Sequence, residues 1–249
     1  MFKIPDTFLS ENEEYLTLVP VRKFAIENPD AKIKNTSRLD QLSQIEAYAN
    51  IDMKKQEIVE EWIDNSVCAG RKEVYIKELE DDRTRFEYLK NEDNVEKLVQ
   101  KKITEHRHLC QNIYTPEYTI CKYQLRQGEL GAVLQIIMCK MIYSFDSKEE
   151  KSTQWYPVVV NVYLDKRYIE ARAKQKTHMF KYEQVKEIDE IPALTSLTPE
   201  KEALEYVCSI LGIHKIKNFY KSSENIKEKI YNLLERSIGT PEEIKECIR

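Results

Sequence analysis

The chain has 249 residues, of which 41% are hydrophobic and 10% aromatic, so it holds enough apolar material for a packed core. Its 39 basic and 43 acidic residues give a formal net charge of −4, which excludes a global attraction to nucleic acid or to an anionic membrane. Any attraction to a polyanion must therefore come from a local surface.

Cysteine and glycine usage excludes several common kinds of site. The six cysteines form no CxxC pair, which disfavours a zinc ribbon, a redox motif or a disulfide framework and predicts a reducing, cytoplasmic compartment. Only five glycines are present and none forms a GxG, so phosphate-cradling loops are absent and we expect no cofactor. The start of the chain lacks a signal-peptide core, and no apolar run reaches the roughly 20 residues of a membrane span. We therefore expect no membrane association.

Residues 1–110 predict a mainly helical amino-terminal region. Short apolar pieces in residues 1–36 predict strand and loop, and Ser37 then caps the first of two amphipathic helices. Residues 73–77 predict a short strand, and the charged residues 78–93 predict a solvent-facing segment. A third helix follows, with one apolar side formed by Val95, Leu98, Val99 and Ile103.

Residues 113–182 predict an antiparallel β-meander, because apolar and alternating runs are separated by turn signals. Residues 130–145 are apolar all round and fit a strand or a helix, and their β-branched content favours the strand. Residues 156–164 predict a strand that a turn at 165–167 joins to a last strand over 168–182. This hairpin is the clearest element of the sequence.

After an acidic linker, Thr198 and Pro199 predict the start of a helix that ends at Gly212, and two further helices follow from Ser223 and Thr240. The predicted fold class is therefore α+β: an antiparallel β-meander flanked by an amino-terminal helical region and a carboxy-terminal helical module. The predicted segments are residues 1–110, 111–184 and 198–249, either as separate units or as one continuous domain.

The last predicted strand carries the main candidate site, a basic row. Side chains in a strand point to alternate sides, so four of its basic or imidazole groups share one face, next to two more at the turn. The candidate nucleic-acid-binding residues are Lys166, Arg167, Arg172, Lys174, Lys176 and His178. Such a row can neutralise successive phosphates. The alternative is a solvated sheet face whose charge is balanced by the acids of residues 183–190.

Two other groups of residues are alternative candidate sites. Imidazole and thiolate ligands for zinc occur at His106, His108, Cys110 and Cys121, but their spacing matches no known motif, and we expect no metal. A metal-dependent nuclease would use Asp165 and Glu170 with Lys174, again without a recognisable arrangement. No GxSxG or HExxH motif is present, and we expect no catalytic residue.

These observations favour a non-enzymatic intracellular protein that binds nucleic acid through the phosphates, by means of the basic hairpin. The first alternative is an adaptor or assembly subunit, in which the helical ends bury apolar stripes against a protein partner or a second copy of the chain. The second alternative is the metal-dependent nuclease.

Overall fold

The structure, a computed structural model, describes residues 1–9, 15–69, 72–104, 108–145, 151–174, 179–181 and 198–218. Four helices come first: α1 (Asp6–Leu9), α2 (Leu18–Glu27), α3 (Arg38–Ala49) and α4 (Met53–Cys68). They are followed by β1 (Glu73–Leu79), α5 (Arg83–Leu89) and α6 (Glu92–Val99). The rest of the described chain forms β2 (Thr119–Gly128), β3 (Gly131–Phe145), β4 (Lys151–Tyr163), β5 (Tyr168–Ala173), β6 (Met179–Lys181), α7 (Thr198–Leu211) and β7 (Ile216–Asn218).

The seven strands form one sheet in the order β2-β3-β4-β5-β1-β7, with β6 paired to β3. Every ladder between these strands is antiparallel. The ladder between β3 and β4 is the longest, from Val133 opposite Tyr163 to Phe145 opposite Lys151. The α+β class and the meander are confirmed, and of residues 130–145 all but the first, which lies in the preceding turn, form strand β3, as their β-branched content indicated.

Helices cover both faces of the sheet, which explains why β3 is apolar on both sides. Helices α5, α6 and α7 pack on one face in a core that includes Ile136 and Met138. Helices α1 to α4 pack on the other face in a second core that includes Ile137 and Cys139. Since neighbouring residues of a strand point to opposite faces, β3 must supply apolar side chains at successive positions.

Local signals fix the ends of several helices. The Ser37 hydroxyl accepts a hydrogen bond from the backbone N–H of Asp40 at 3.2 Å, and Asp52 caps α4 through the N–H of Lys55 at 2.9 Å. Helix α7 begins at Thr198 as predicted and ends before Gly212, which adopts a φ of +61°. That left-handed conformation favours glycine, so the predicted stop is confirmed.

Two predictions for the amino-terminal half are wrong. Residues 18–27 form helix α2 rather than strand and loop, with Val21 and Phe24 buried one helical turn apart. Pro20 lies in the first turn of α2, where the backbone N–H has no partner in the helix and its loss costs little. The charged residues 78–93 are not wholly solvent-facing, because α5 buries Phe86 and Leu89.

The last predicted strand, over 168–182, is also wrong as a continuous element. Strand β5 ends at Ala173, and residues 179–181 form β6, which pairs with β3 instead of β4. The next position in register on β4 is Pro157, which has no N–H to continue the ladder. The predicted helices from Ser223 and Thr240 lie outside the described residues. No helix in the described part of the chain is long and apolar enough to cross a membrane.

Candidate functional site

Among the six candidate nucleic-acid-binding residues, the two at the turn lie apart from those on the strand. Lys166 and Arg167 are exposed between β4 and β5, and Arg167 has a φ of +58° and places its guanidinium 5.8 Å from the centre of the Phe86 ring. Arg172 is five positions further along the chain, about 16 Å away at the rise of a strand. The candidate residues therefore do not form one continuous row.

Arg172 and Lys174 lie towards the side of the sheet that α1 to α4 cover. The intervening Ala173, with Ala171, points into the core under α7, so alternation places Arg172 on the opposite face. The side chains of Arg172 and Lys174 are half-buried. Lys176 and His178, the other two residues of the predicted row, lie outside the described residues.

A third cation joins these two from a part of the chain that the sequence did not connect with them. Val74 of β1 pairs with Arg172, so Lys72, just before β1, lies next to the end of β5. Burial lowers the pKa of the Lys72 ammonium to about 8; the Cys68 thiol opposes this shift, and Arg172 and Lys174 add to it. We call Lys72, Arg172 and Lys174 the basic cluster.

The basic cluster has no carboxylate partner within the described residues, whose ion pairs all involve other cations. The Nε of Arg172 is buried and has no hydrogen-bond partner among the residues that the structure describes. A buried donor without a partner costs about 1–3 kcal/mol, and an external acceptor reaches this atom only if the Arg172 side chain moves. The acidic residues within 183–190, which the alternative interpretation uses to balance the charge of the basic row, lie outside the described residues.

Glu170 lies on the same face two residues before Arg172, but neutral groups hold its carboxylate. The side-chain amide of Asn161 donates to Glu170 Oε1 at 2.7 Å, and the Tyr163 hydroxyl donates to the same oxygen at 3.1 Å. Gln135 in turn donates to Asn161 Oδ1 at 3.1 Å, so a polar row crosses β3, β4 and β5. Glu170 is therefore a buried structural acceptor rather than an ion-pair partner of Arg172.

Lys122 and Arg126 of β2 are two further cations on the same face of the sheet as Arg172. Lys122 is in the same row across the sheet as Arg172, three strand spacings or about 14 Å away. Burial raises the pKa of the Cys68 thiol to about 11, while Lys72, Arg126 and Lys122 oppose this shift. Positive charge therefore extends around the carboxyl end of α4, from Lys72 on one side to Arg126 on the other.

A groove of about 700 Å³ lies between α2 and α4 and reaches the basic cluster. Phe24 and Trp62 form part of its wall, with ring centres 5.0 Å apart, and Trp62 is half-buried. Lys72 and Lys174 line the same groove. Sequence reasoning missed this groove, because residues 1–36 were predicted to contain no helix.

The residues considered for a nuclease are engaged separately. One carboxylate oxygen of Asp165 pairs with Lys90 Nζ at 2.7 Å, and the other accepts from the backbone N–H of Ala132 at 2.6 Å. These two hydrogen bonds lower the pKa of Asp165, so it serves to hold the turn. Glu170 is directed to Asn161 and Tyr163 instead, so the two acids are held by different groups.

The side chains considered as zinc ligands also make contacts with different partners. His108 Nδ1 lies 2.8 Å from Asp64 Oδ2, and this hydrogen bond raises the pKa of His108. Cys121 contacts the Tyr114 hydroxyl at 3.2 Å. His106 lies outside the described residues, and within those residues no group of three histidine, cysteine or acidic side chains can hold a metal.

Comparisons with protein-family models, curated proteins and solved structures find no match for this chain. Its function is therefore inferred from the described side chains alone. Among them, the basic cluster and the adjoining groove combine like charges with an accessible aromatic wall. That combination is suited to an anionic ligand with a planar or apolar part.

Proposed function

We propose that this protein is a nucleic-acid-binding protein that contacts phosphates through the basic cluster of Lys72, Arg172 and Lys174. The observation that carries the proposal is the clustering of these three cations, which have no carboxylate partner within the described residues. A phosphate oxygen accepts a charge-assisted hydrogen bond from a guanidinium and offsets the repulsion among the three cations.

Lys122 and Arg126 extend this proposed surface across the sheet. The distance of about 14 Å between Lys122 and Arg172 corresponds to about four charges along the axis of one strand of a B-form duplex. Contacts of this kind go to the backbone and carry no sequence information, so we expect similar affinity for unrelated sequences. The net charge of −4 means that this attraction is local.

The test is binding of short labelled oligonucleotides, measured by fluorescence anisotropy, to a variant with alanine at Lys72, Arg172 and Lys174. We expect the affinity to fall about tenfold or more, and by the same factor for unrelated sequences, because the groups that bind phosphate are removed. Unchanged affinity of this folded variant would contradict the proposal.

A matched control removes the same charge on the other side of the sheet. Lys97, Lys101 and Lys201 are exposed, on or next to helices α6 and α7. Alanine at these three positions changes the net charge equally but leaves the basic cluster intact. We expect its affinity to stay within about twofold of the original protein at moderate salt. An equal loss in both variants would indicate a general charge effect and no site.

A second candidate function, an adaptor or assembly subunit, is favoured by one observation on α2. Val19 and Ile26 are 76% and 80% exposed and lie seven positions apart, so they share a face of the helix. A stable homo-oligomer in size-exclusion chromatography with light scattering, unchanged by added DNA or RNA, would support it. A monomer that shifts on adding an oligonucleotide would favour nucleic-acid binding.

A further inference from the structure

The groove between α2 and α4 and the basic cluster share two residues. Lys72 and Lys174 belong to the cluster and also line the groove, so a phosphate at these lysines borders the groove. The volume of about 700 Å³ is within the roughly 300–1,000 Å³ of small-molecule sites. One ligand can therefore place an anionic group on the lysines and a neutral group between the helices.

The walls of the groove are suited to a planar ring. The indole N–H of Trp62 donates to the backbone carbonyl of Pro20 at 3.2 Å, which fixes the ring between α2 and α4. Ile58 adds an apolar side chain, and Asn65 and Ser66 of α4 add hydrogen-bonding groups. A nucleobase needs this combination, because its face stacks on an aromatic side chain while its edge forms hydrogen bonds.

The charge of the groove fits a phosphate at one end. Lys23 and Glu27 on its rim pair with each other at 3.6 Å and so largely cancel, and Glu61 of α4 adds one acidic group to the lining. Lys72 and Lys174 have no ion-pair partner within the described residues and lie where α4 ends. The positive charge is thus concentrated at the carboxyl end of α4, next to Ala69.

We infer that the nucleic acid is single-stranded, with one unpaired base in the groove against Trp62 and its phosphate on Lys72 and Lys174. This inference rests on the proposed function and adds the class of nucleic acid. In a duplex the bases are stacked and paired, so the phosphates reach the basic cluster but no base enters the groove.

The test compares four labelled or competing polyanions: a single strand, the duplex of the same sequence, an abasic strand of the same length, and heparin. We expect the original protein to bind the single strand about tenfold more tightly than the abasic strand, because the abasic strand has no base to stack in the groove. Equal affinity for the single strand, the duplex and the abasic strand would overturn the inference.

Two variants locate the effect. Trp62→Ala removes the ring and is expected to weaken single-strand binding about tenfold while heparin binding stays within twofold. Because Trp62 also contacts Phe24, a second variant, Ala69→Trp, leaves that packing intact and fills the groove from an exposed position. It is expected to weaken single-strand binding by a similar factor. Single-strand binding unchanged in folded Ala69→Trp protein would contradict the inference.

Failure of this inference and failure of the proposed function give different results. If no polyanion binds, or if alanine at the three basic-cluster residues has no effect, the proposed function fails. If all polyanions bind alike through the basic cluster and Trp62→Ala has no effect, the proposed function stands and the base site is excluded.

Discussion

Glu200, in the first turn of α7, has a carboxyl group with no exposed surface. The Tyr156 hydroxyl donates to Oε1 at 3.1 Å, and Oε2 is buried with no partner within the described residues. Burial raises the pKa of Glu200 to about 7, although its backbone N–H and Tyr156 oppose this shift; Glu73 adds to it, and Lys140 opposes it. The folded protein therefore holds a proton on Glu200 that the unfolded chain loses near its ordinary pKa of 4.5.

Glu200→Gln tests this protonated carboxyl group. A raised pKa gives stability that is full below pH 4.5 and is lost as the pH rises to about 7, so the original protein should weaken across this interval. The shift corresponds to a change on the order of 3 kcal/mol in the free energy of unfolding. Glutamine stays neutral and should remove that dependence, as denaturant unfolding across this range would show. The same pH profile in both proteins would contradict the assignment.

At the scale of elements, the sequence predicted best where a local signal decides the structure. The helix from Thr198 to Leu211 has a threonine and a proline at its start, an amphipathic pattern and a glycine after its end, and the hairpin of β4 and β5 has a polar turn between apolar runs. Strand β5 was predicted too long because its end depends on Pro157 of its neighbour, and α2 was missed because three prolines suggested loop. At both places the tertiary packing, rather than the local secondary-structure propensity, determines the structure.

The pairing of β1 with β5 could not be predicted from the sequence, because these strands are far apart along the chain. This pairing places Lys72 beside Arg172 and so creates the basic cluster. Leu79 donates its backbone N–H to the carbonyl of Arg167 at 2.8 Å. Glu78 and Tyr168, one position further in the same register, therefore form a non-hydrogen-bonded pair, in which the side chains come closest.

A cysteine pair tests this register. We expect Glu78→Cys with Tyr168→Cys to form a disulfide under mild oxidation, because the Cβ atoms of directly opposed residues lie about 4.5–5.5 Å apart. Mass spectrometry of the digested protein detects the cross-link. Lys77→Cys with Tyr168→Cys is the control, since Lys77 points to the other face of β1. Equal cross-linking of both pairs, or none at 78 and 168, would contradict the register.

At the scale of the whole molecule, only part of the candidate site could be predicted. The alternation of side chains along a strand placed Arg172 and Lys174 on one face, because this alternation can be read from the local sequence alone. Lys72 required the register of β1, Lys122 that of β2, and Trp62 the packing of α2 on α4. Sites assembled from distant segments depend on tertiary contacts that periodicity does not encode.

The lowered pKa of Lys72 predicts a pH dependence of nucleic-acid binding. Phosphate favours the charged ammonium, so the affinity should fall as the pH rises through about 8 and Lys72 loses its proton. Lys72→Arg keeps the charge at every working pH and should remove most of this fall while retaining binding. Anisotropy titrations on either side of that pH provide the measurement. An equal fall in both proteins would assign the effect to another group.

The most direct test of phosphate binding by the basic cluster is the salt dependence of oligonucleotide affinity. For the original protein, the logarithm of the affinity should fall linearly with the logarithm of the salt concentration, since bound phosphates release counterions. Alanine at Lys72, Arg172 and Lys174 should reduce the magnitude of that slope by about one for each phosphate no longer bound, whereas alanine at Lys97, Lys101 and Lys201 should leave it unchanged. Identical slopes for the original protein and the basic-cluster variant would contradict phosphate binding at this cluster.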